Sequence, residues 1–512
     1  MIEYNVTILS RYVMPQACML DSDMARCVGT DMDTFLNALQ TIGIILLVIL
    51  FFNLMIFVHE LGHFLAGKWR GAYIDRFQIW FGAPIWSKTI RGVRWGIGWL
   101  PLGGFVSLPQ MEDMEKVEGA CKDLPKDLKP LKPLDKIIIA AAGPLFSLLL
   151  AYVFAFIVWG VGKPVAELQG TRIGYFAPDS PAAAAGLLPG DRILAIDGKA
   201  VTKWAGNMEG VRELVALSEG EKINFTIARP QADGSEQTLE IASSFRIPET
   251  AWWQRTALRQ VGILPAAPTV VGAILPGSPA EQAGLKPGQT IIAVNGTPVY
   301  TPFAVIEVSE KPEPMELTLK NEDGTTTTVN ITPVIPTNWQ DKPGATAILG
   351  MAWANPNAAV EFEHPSPQAQ VSQSLKWMKD TLAKVCAPGS SIGMEHLSGP
   401  VGIGNHMYQM FQAGDGVGWR LVLWFAVVLN VNLAVLNILP LPVVDGGHVV
   451  LGFIEMLRGK PVSGKFLDWI MFGFVFLLLF FFIFVTFKDV GDMVGGEDTP
   501  KLPAPIFSTP QN

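Results

Sequence analysis

The sequence predicts a polytopic α-helical membrane protein of four spanning helices. A membrane-associated β-hairpin region follows the first helix, and two tandem copies of a small mixed β/α domain lie between the second and third. Three observations carry this. Apolar runs at about 41–66, 137–161, 419–439 and 469–487 are each long enough to cross a hydrocarbon core about 30 Å thick. The segment Ser180–Gly198 recurs 98 residues later as Ser278–Gly296, with 11 of 19 positions identical. Between Tyr73 and Leu108 the pattern is short, aromatic and punctuated by glycine, as strands and tight turns require.

Composition agrees with a chain of several units. Over 512 residues, 49% are hydrophobic and 16% charged, which is too apolar for an ordinary soluble protein and too charged for one wholly in the membrane. A net charge of -8, with no basic run interleaved with aromatics, argues against a nucleic-acid partner. Cys18, Cys27, Cys121 and Cys386 have no metal-type spacing, so any metal ligands come from elsewhere. Cys18 and Cys27 can pair if the N-terminus is extracytoplasmic, but no disulfide framework is indicated.

In chain order, residues 1–37 form an extension with neither periodicity nor a long apolar core, so they are neither a signal peptide nor a span. Met24 and Met32 raise the alternative of a later start. Residues 38–67 form the first span. Within it His59, Glu60 and His63 spell H-E-x-x-H, and positions i and i+4 of a helix share a face. Both imidazoles can therefore reach one Zn²⁺, with Glu60 beside the open position as a general base. Seventeen or so residues from Thr41, at about 1.5 Å each, carry His59 about 25 Å into the core. Such a motif also arises by chance on solvated helices. Three ionisable groups in an apolar span are expensive, however, and favour a functional site.

Residues 68–133 are rich in Lys and Arg, as is the short loop with Arg458, Lys460 and Lys465, which assigns both to the cytoplasm. Both termini and the central region then lie outside, with His59 near the cytoplasmic side. Gly103 and Gly104 permit a tight bend in the hairpin region. That region either lines a cavity at membrane depth or lies on the cytoplasmic membrane surface. The second span, 134–161, contains small residues from Ala140 to Gly143 for close helix approach, then Pro144, which can bend it.

The two repeat copies are placed at 165–247 and 260–335. Each reads as a short helix capped by Ser-Pro, a Pro-Gly turn, an alternating strand and a D-G or N-G turn. The run S-P-A-x-x-A-G-L-x-P-G-D resembles the bacterial PDZ domain, which binds peptides by strand addition, often at a free carboxyl terminus. Gln289 replaces the usual Asp in the second copy. The copies are peptide binders or spacers that restrict access.

Residues 336–417 are a linker containing an amphipathic helix from Val371 to Val385, which lies on the outer membrane surface or packs on a neighbouring domain. The third span, 418–440, holds Asn430, Asn432 and Asn437, and it is broken by Pro440 and Pro442. Asparagines there are either functional or helix–helix glue. Asp445, at the broken end before Gly446 and Gly447, is the preferred third zinc ligand, since a catalytic zinc needs three protein ligands and one open position. His448 ranks below it. Residues 441–466 form a cytoplasmic loop, 467–488 the fourth span and 489–512 a tail.

The order of H-E-L-G-H at His59–His63, P-L-G-G at Pro101–Gly104, G-P at Gly143–Pro144, the tandem PDZ-like copies, L-S-G-P at Leu397–Pro400 and N-I-L-P-L-P-V-V-D-G-G at Asn437–Gly447 resembles the site-two protease family (peptidase family M50), especially its bacterial sigma-E-regulating branch. The resemblance runs from about residue 38 to 490. It implies an intramembrane zinc metalloprotease of the bacterial inner membrane, with ligands His59, His63 and Asp445 and catalytic base Glu60. It further implies that Asn437, with Asn432, and the hairpin region with Gly103 and Gly104 hold the substrate. The implied substrates are transmembrane segments of pre-clipped proteins of the anti-sigma-factor type, or signal-peptide remnants. Ser147 stands where many members have Asn, a departure expected to affect only local packing and not the metal set. A competing reading is a non-proteolytic zinc-dependent membrane adaptor that recruits peptides through its PDZ-like copies.

Overall fold

The computed structural model describes residues 31–111, 128, 130–165, 168–206, 209–231, 233–354, 361–387, 390–413, 416–460, 464–494 and 502–507. Cys18, Cys27, Cys121 and most of the expected N-terminal extension lie outside the described residues. Helix α1 (Asp31–Arg70) is longer than the span expected at 38–67. At about 1.5 Å per residue its 40 residues reach well beyond the bilayer core. Leu46 and Leu50, 60% and 62% exposed, face outward as a lipid-facing stripe would.

Strands β1 (Arg76–Ile90) and β2 (Val93–Ser107) form an antiparallel hairpin. Gly103–Gly104 lie at a bend within β2 and not at the turn that joins the strands. That turn is at Arg91–Gly92, both with positive φ (50° and 86°), the geometry of a two-residue primed turn. Both strands bend midway, at Trp80 and Gly82 and again near Gly98 and Gly103. The pairing is consequently doubled: residues 76–79 pair with 94–97 on one side and 104–107 on the other, while 86–90 pair with 93–97. Residues 104–107 form one edge of the resulting four-segment layer. Gln78, 1% exposed, holds the bend by donating to the carbonyls of Trp80 and Gly82. The Trp80 indole donates to Asn53, so the one polar side chain in the apolar run before His59 anchors the hairpin to α1.

Helix α2 (Pro133–Val161) starts with proline at its first turn and buries Ala140, Ala142 and Gly143. A Cβ on Gly62 of α1 would lie 2.5 Å from the Ala142 carbonyl, so the two backbones touch there. Arg70 pairs with Asp135 where the two helices meet.

Each repeat copy is a four-stranded antiparallel sheet of the same order. The first has β3 (Ile173–Phe176), β4 (Arg192–Ile196), β5 (Lys199–Ala200), β6 (Ile223–Pro230), β7 (Glu236–Ser243) and a late strand, β8 (Ile263–Pro265); its sheet runs β7-β6-β4-β5. The second has β9 (Val271–Ile274), β10 (Thr290–Val294), β11 (Thr297–Pro298), β12 (Met315–Lys320), β13 (Thr326–Ile331) and β14 (Met351–Trp353); its sheet runs β13-β12-β10-β11. β8 pairs with β3, and β14 pairs with β9. The expected limits of 165–247 and 260–335 are therefore wrong. Residues 260–265 complete the first copy, with Val261 in its core, and the second runs on to Trp353. A strand that returns after a linker leaves no local signal of which sheet it joins.

Ser180 and Ser278 cap the short helices after β3 and β9 by accepting from Ala183 and Glu281 N–H. Asp191 accepts from Leu188 N–H and from the Arg229 guanidinium, and that donation holds Arg229 above its usual pKa. In the second copy Gln289 accepts from Lys286 N–H and donates to Asn321. Both halves of the pair have changed together, from charged to neutral, which accounts for Gln289.

Helix α3 (Pro367–Cys386) packs its Val371 face on α2 and on the third apolar helix, Gly418–Ile438; Gln370 donates to the Ala155 carbonyl. Its lysines reach the first copy, Lys376 to Glu209 and Lys384 to Glu219. Helix α4 (Pro400–Gln412) packs Met407 against Ile44, Val48 and Val422. Helix α5 (Gly418–Ile438) ends before the prolines, and α6 (Asp445–Arg458) occupies what was expected to be a loop, ending at left-handed Gly459. Lys136 of α2 pairs with Glu455 of α6. Helix α7 (Gly464–Val494) contains the fourth candidate span, Trp469–Val494. Its end is tied to the first copy, at the stretch between β7 and β8: Arg255 pairs with Asp489 and Asp492, and Asp489 also accepts from Gly399 and Gly402 N–H.

Candidate metal centre

One helical turn of α1 sets His59 and His63 on one face, and the ring nitrogens His59 Nε2 and His63 Nε2 lie 3.4 Å apart. Asp445 reaches them from the first turn of α6, with Oδ2 3.2 Å from His59 Nε2 and Oδ1 3.3 Å from His63 Nε2. Two glycines allow that approach. A Cβ on Gly446 would meet the Ile438 and Leu439 carbonyls, and one on Gly447 would lie 2.8 Å from Pro442 Cα. The chain can thus fold tightly from the end of α5 into α6. The N-terminus of α6 also favours the negative charge of Asp445.

The residues fit a metal ion. His63 Nδ1 lies 2.8 Å from the Ile139 carbonyl and so carries its proton there, leaving the Nε2 lone pair pointing inward. His59 Nδ1 lies 3.0 Å from Ser147 Oγ, which can hold the other ring in the same state. Two lone pairs and a carboxylate then converge, and Asp445 Oδ2 is buried with no hydrogen-bond donor among the described residues. A cation offsets that repulsion. Ligands about 2.0–2.1 Å from a tetrahedral zinc stand about 3.3–3.4 Å apart, the separation found here. Among the described residues His59, His63 and Asp445 are the one such cluster.

Glu60 lies beside this cluster and is partly buried. The backbone of Val106 lies next to its carboxylate. A Cβ on Gly104 would lie 3.4 Å from Glu60 Cγ, so the 104–107 edge passes directly over it. Gly103 has φ +67°, where a side chain would run into the Phe81 ring. Asn432 and Asn437 are half-buried on α5, outside the cluster, and neither side chain has a hydrogen-bond partner among the described residues. Asn430 is fully buried and donates to the Ala426 carbonyl of its own helix. His448 is buried one turn beyond Asp445 and is not in the cluster.

Two residues that sequence reasoning assigned to helix packing belong to the centre. Ser147, far from leaving the metal set untouched, contacts His59 directly. Gly143 faces both imidazoles: a Cβ there would lie 2.6 Å from His63 Cε1 and 2.9 Å from His59 Cε1. The only local signal was the G-P pair itself.

A helical membrane bundle with two histidines, a carboxylate and an adjoining glutamate within it defines a membrane-embedded metallopeptidase. Residues 46–481 match the family model described as Peptidase family M50, and the chain belongs to that family. It is 28% identical over 466 residues to a Neisseria meningitidis protein named "Putative zinc metalloprotease", covering 86% of this chain and 97% of the relative. A Xylella fastidiosa protein of the same name is 29% identical over 440 residues, 81% of this chain and 91% of the relative. The "Protease RseP" of Yersinia pestis is 28% identical over 438 residues, with the same 81% and 91% coverage.

Proposed function

We propose that this chain is an intramembrane zinc endopeptidase in which His59, His63 and Asp445 hold the metal and Glu60 is the catalytic base. The observation that carries the reading is the convergence of three inward-facing acceptors from α1 and α6 beside a carboxylate within the spanning bundle. Zinc held there supplies Lewis acidity to the attacking water and the scissile carbonyl. Glu60, placed between the cluster and the 104–107 edge, accepts the proton of the attacking water and returns it to the leaving amine.

A helical substrate has every backbone group paired, so it must unwind before its carbonyl is exposed. The edge at Gly104–Ser107 can replace the lost hydrogen bonds by strand addition, and Asn437 and Asn432, without partners of their own among the described residues, can take up the remainder. The substrates are transmembrane segments of pre-clipped membrane proteins of the anti-sigma-factor type, consistent with the relatives named regulator of sigma E protease.

The two repeat copies act as PDZ domains outside the membrane and admit only substrates whose external domain has been removed. Their matching sheet order and late closing strands support that class. Contact between the tail after the fourth span and the second copy supports placing both on one side, with the basic loops and the metal centre towards the cytoplasm. Removing residues 166–354 should allow unclipped substrate to be cut; if it stays intact, the filter role fails.

The deciding experiment is Glu60→Gln with zinc analysis and cleavage of a tethered transmembrane substrate. Cleavage should be lost while one zinc per chain is retained. A fully active Glu60→Gln variant, or active enzyme without zinc, would sink the assignment. The adaptor reading expects peptide binding without cleavage in the unaltered protein as well.

A further inference from the structure

The two copies use equivalent segments to grip successive parts of the C-terminal region. In each copy the stretch between the last sheet strand and the closing strand is bridged at the same place, Arg246 to Gln260 in the first and Val334 to Ile348 in the second. On that alignment Glu249-Thr250-Ala251 corresponds to Thr337-Asn338-Trp339. In the first copy the residues just after this point hold the end of α7: Lys488 donates to the Trp252 and Gln254 carbonyls, and Arg255 pairs with Asp489 and Asp492. In the second copy the tail is held a few positions earlier, by Thr337–Trp339 themselves.

The contacts to the tail are regular. Trp339 Nε1–H donates to the Pro503 carbonyl at 2.8 Å, and Asn338 Nδ2 donates to Ala504 O at 2.7 Å. Ile506 N–H donates to Asn338 Oδ1 at 3.0 Å. Thr337 N–H and Oγ1 both donate to Ile506 O at 2.9 Å. All five bonds go to the tail backbone, as in recognition of an extended strand. Pro503 and Pro505 restrict the tail to extended conformations, which lowers the entropy lost on docking. The Phe507 ring rests over Gly350, where a Cβ would lie 2.8 Å from it, in a cleft shared with Pro279, Ala283 and Ile331.

We propose that Thr337–Trp339 and the adjoining cleft form a binding site for an extended, proline-containing peptide with an aromatic anchor. The chain's own Leu502–Phe507 fills it in cis, tying the second copy to the fourth span. The site differs from the groove used for strand addition to a PDZ domain, and the proposal does not depend on which substrates the enzyme cuts. The tail is tethered a few residues beyond α7, which gives an effective concentration in the millimolar range, so modest intrinsic affinity suffices.

The test uses the full chain, the chain ending at Pro500, and a labelled synthetic peptide of residues 501–512. The peptide should bind the truncated chain saturably by a few millimolar and the intact chain at least tenfold more weakly, because the tail competes. Asn338→Ala in the truncated chain removes two hydrogen bonds and should weaken binding about tenfold. Hydrogen exchange reads the same contact without added peptide: the Thr337 amide should be protected in the intact chain and exchange at least tenfold faster after truncation. Equal binding to both chains, no saturation by 10 mM (about tenfold above the tethered concentration), indifference to Asn338→Ala, or unchanged Thr337 exchange would each overturn the proposal.

Discussion

Replacing Gly143 by alanine tests the metal centre without replacing a ligand. The added methyl would lie 2.6 Å from His63 Cε1 and 2.9 Å from His59 Cε1. Carbon atoms in ordinary contact stand about 3.5–4.0 Å apart, so one ring or the helix must move by about 1 Å. Metal ligand distances tolerate only about 0.2 Å, and a displacement of about 1 Å costs a factor of about 100 in rate. Overpacking of this kind also destabilises by about 1–3 kcal/mol. Gly160→Ala on the same helix is the control, since a Cβ there meets nothing within 4 Å. The assays are zinc per chain by mass spectrometry, cleavage of a tethered transmembrane substrate, and melting temperature in detergent. Gly143→Ala should lose most of its zinc and at least 100-fold in cleavage rate, with Gly160→Ala unchanged in both. If Gly143→Ala kept one zinc and cleaved within about threefold of the unaltered protein, far short of that factor, the placement of α2 against the histidines would be wrong.

Ser147→Ala removes the partner of His59 Nδ1 and should weaken zinc binding about 10- to 100-fold in chelator competition, with little change in melting temperature. Gln289→Asp places a carboxylate against the Asn321 amide oxygen and should destabilise the second copy, whereas adding Asn321→Arg should recover part of the loss. Double-mutant analysis by denaturant unfolding should then give a coupling of about 0.5–3 kcal/mol. Asp489→Ala leaves Asp492 as the one carboxylate pairing with Arg255 and removes the acceptor for Gly399 and Gly402 N–H. Breaking such a buried pair costs about 3–5 kcal/mol and should lower the melting temperature clearly.

Much of the architecture could be read in one dimension. Four apolar runs became four helices long enough to span, and serine caps and D-G and N-G turns stand where local chemistry put them. The bend permitted by Gly103 and Gly104 is present, but the hairpin turn itself, at Arg91-Gly92, was not located from the sequence. Gly103 and Gly104 also leave room for Phe81 and Glu60, contacts between segments that the local sequence does not show. The limits of the copies were missed for a related reason, since pairing of β8 with β3 is set by sheet closure across a linker.

The same division runs through the metal centre. That His59 and His63 share a face follows from helical periodicity over four residues, so the motif alone establishes it. Bringing Asp445 within 3.3 Å of them requires α6 to fold back across the break after α5, and admitting the rings requires the Gly143 face of α2. Short-range geometry is written in residue spacing. Contacts between distant segments arise only when whole helices pack, and they carry no spacing of their own to read.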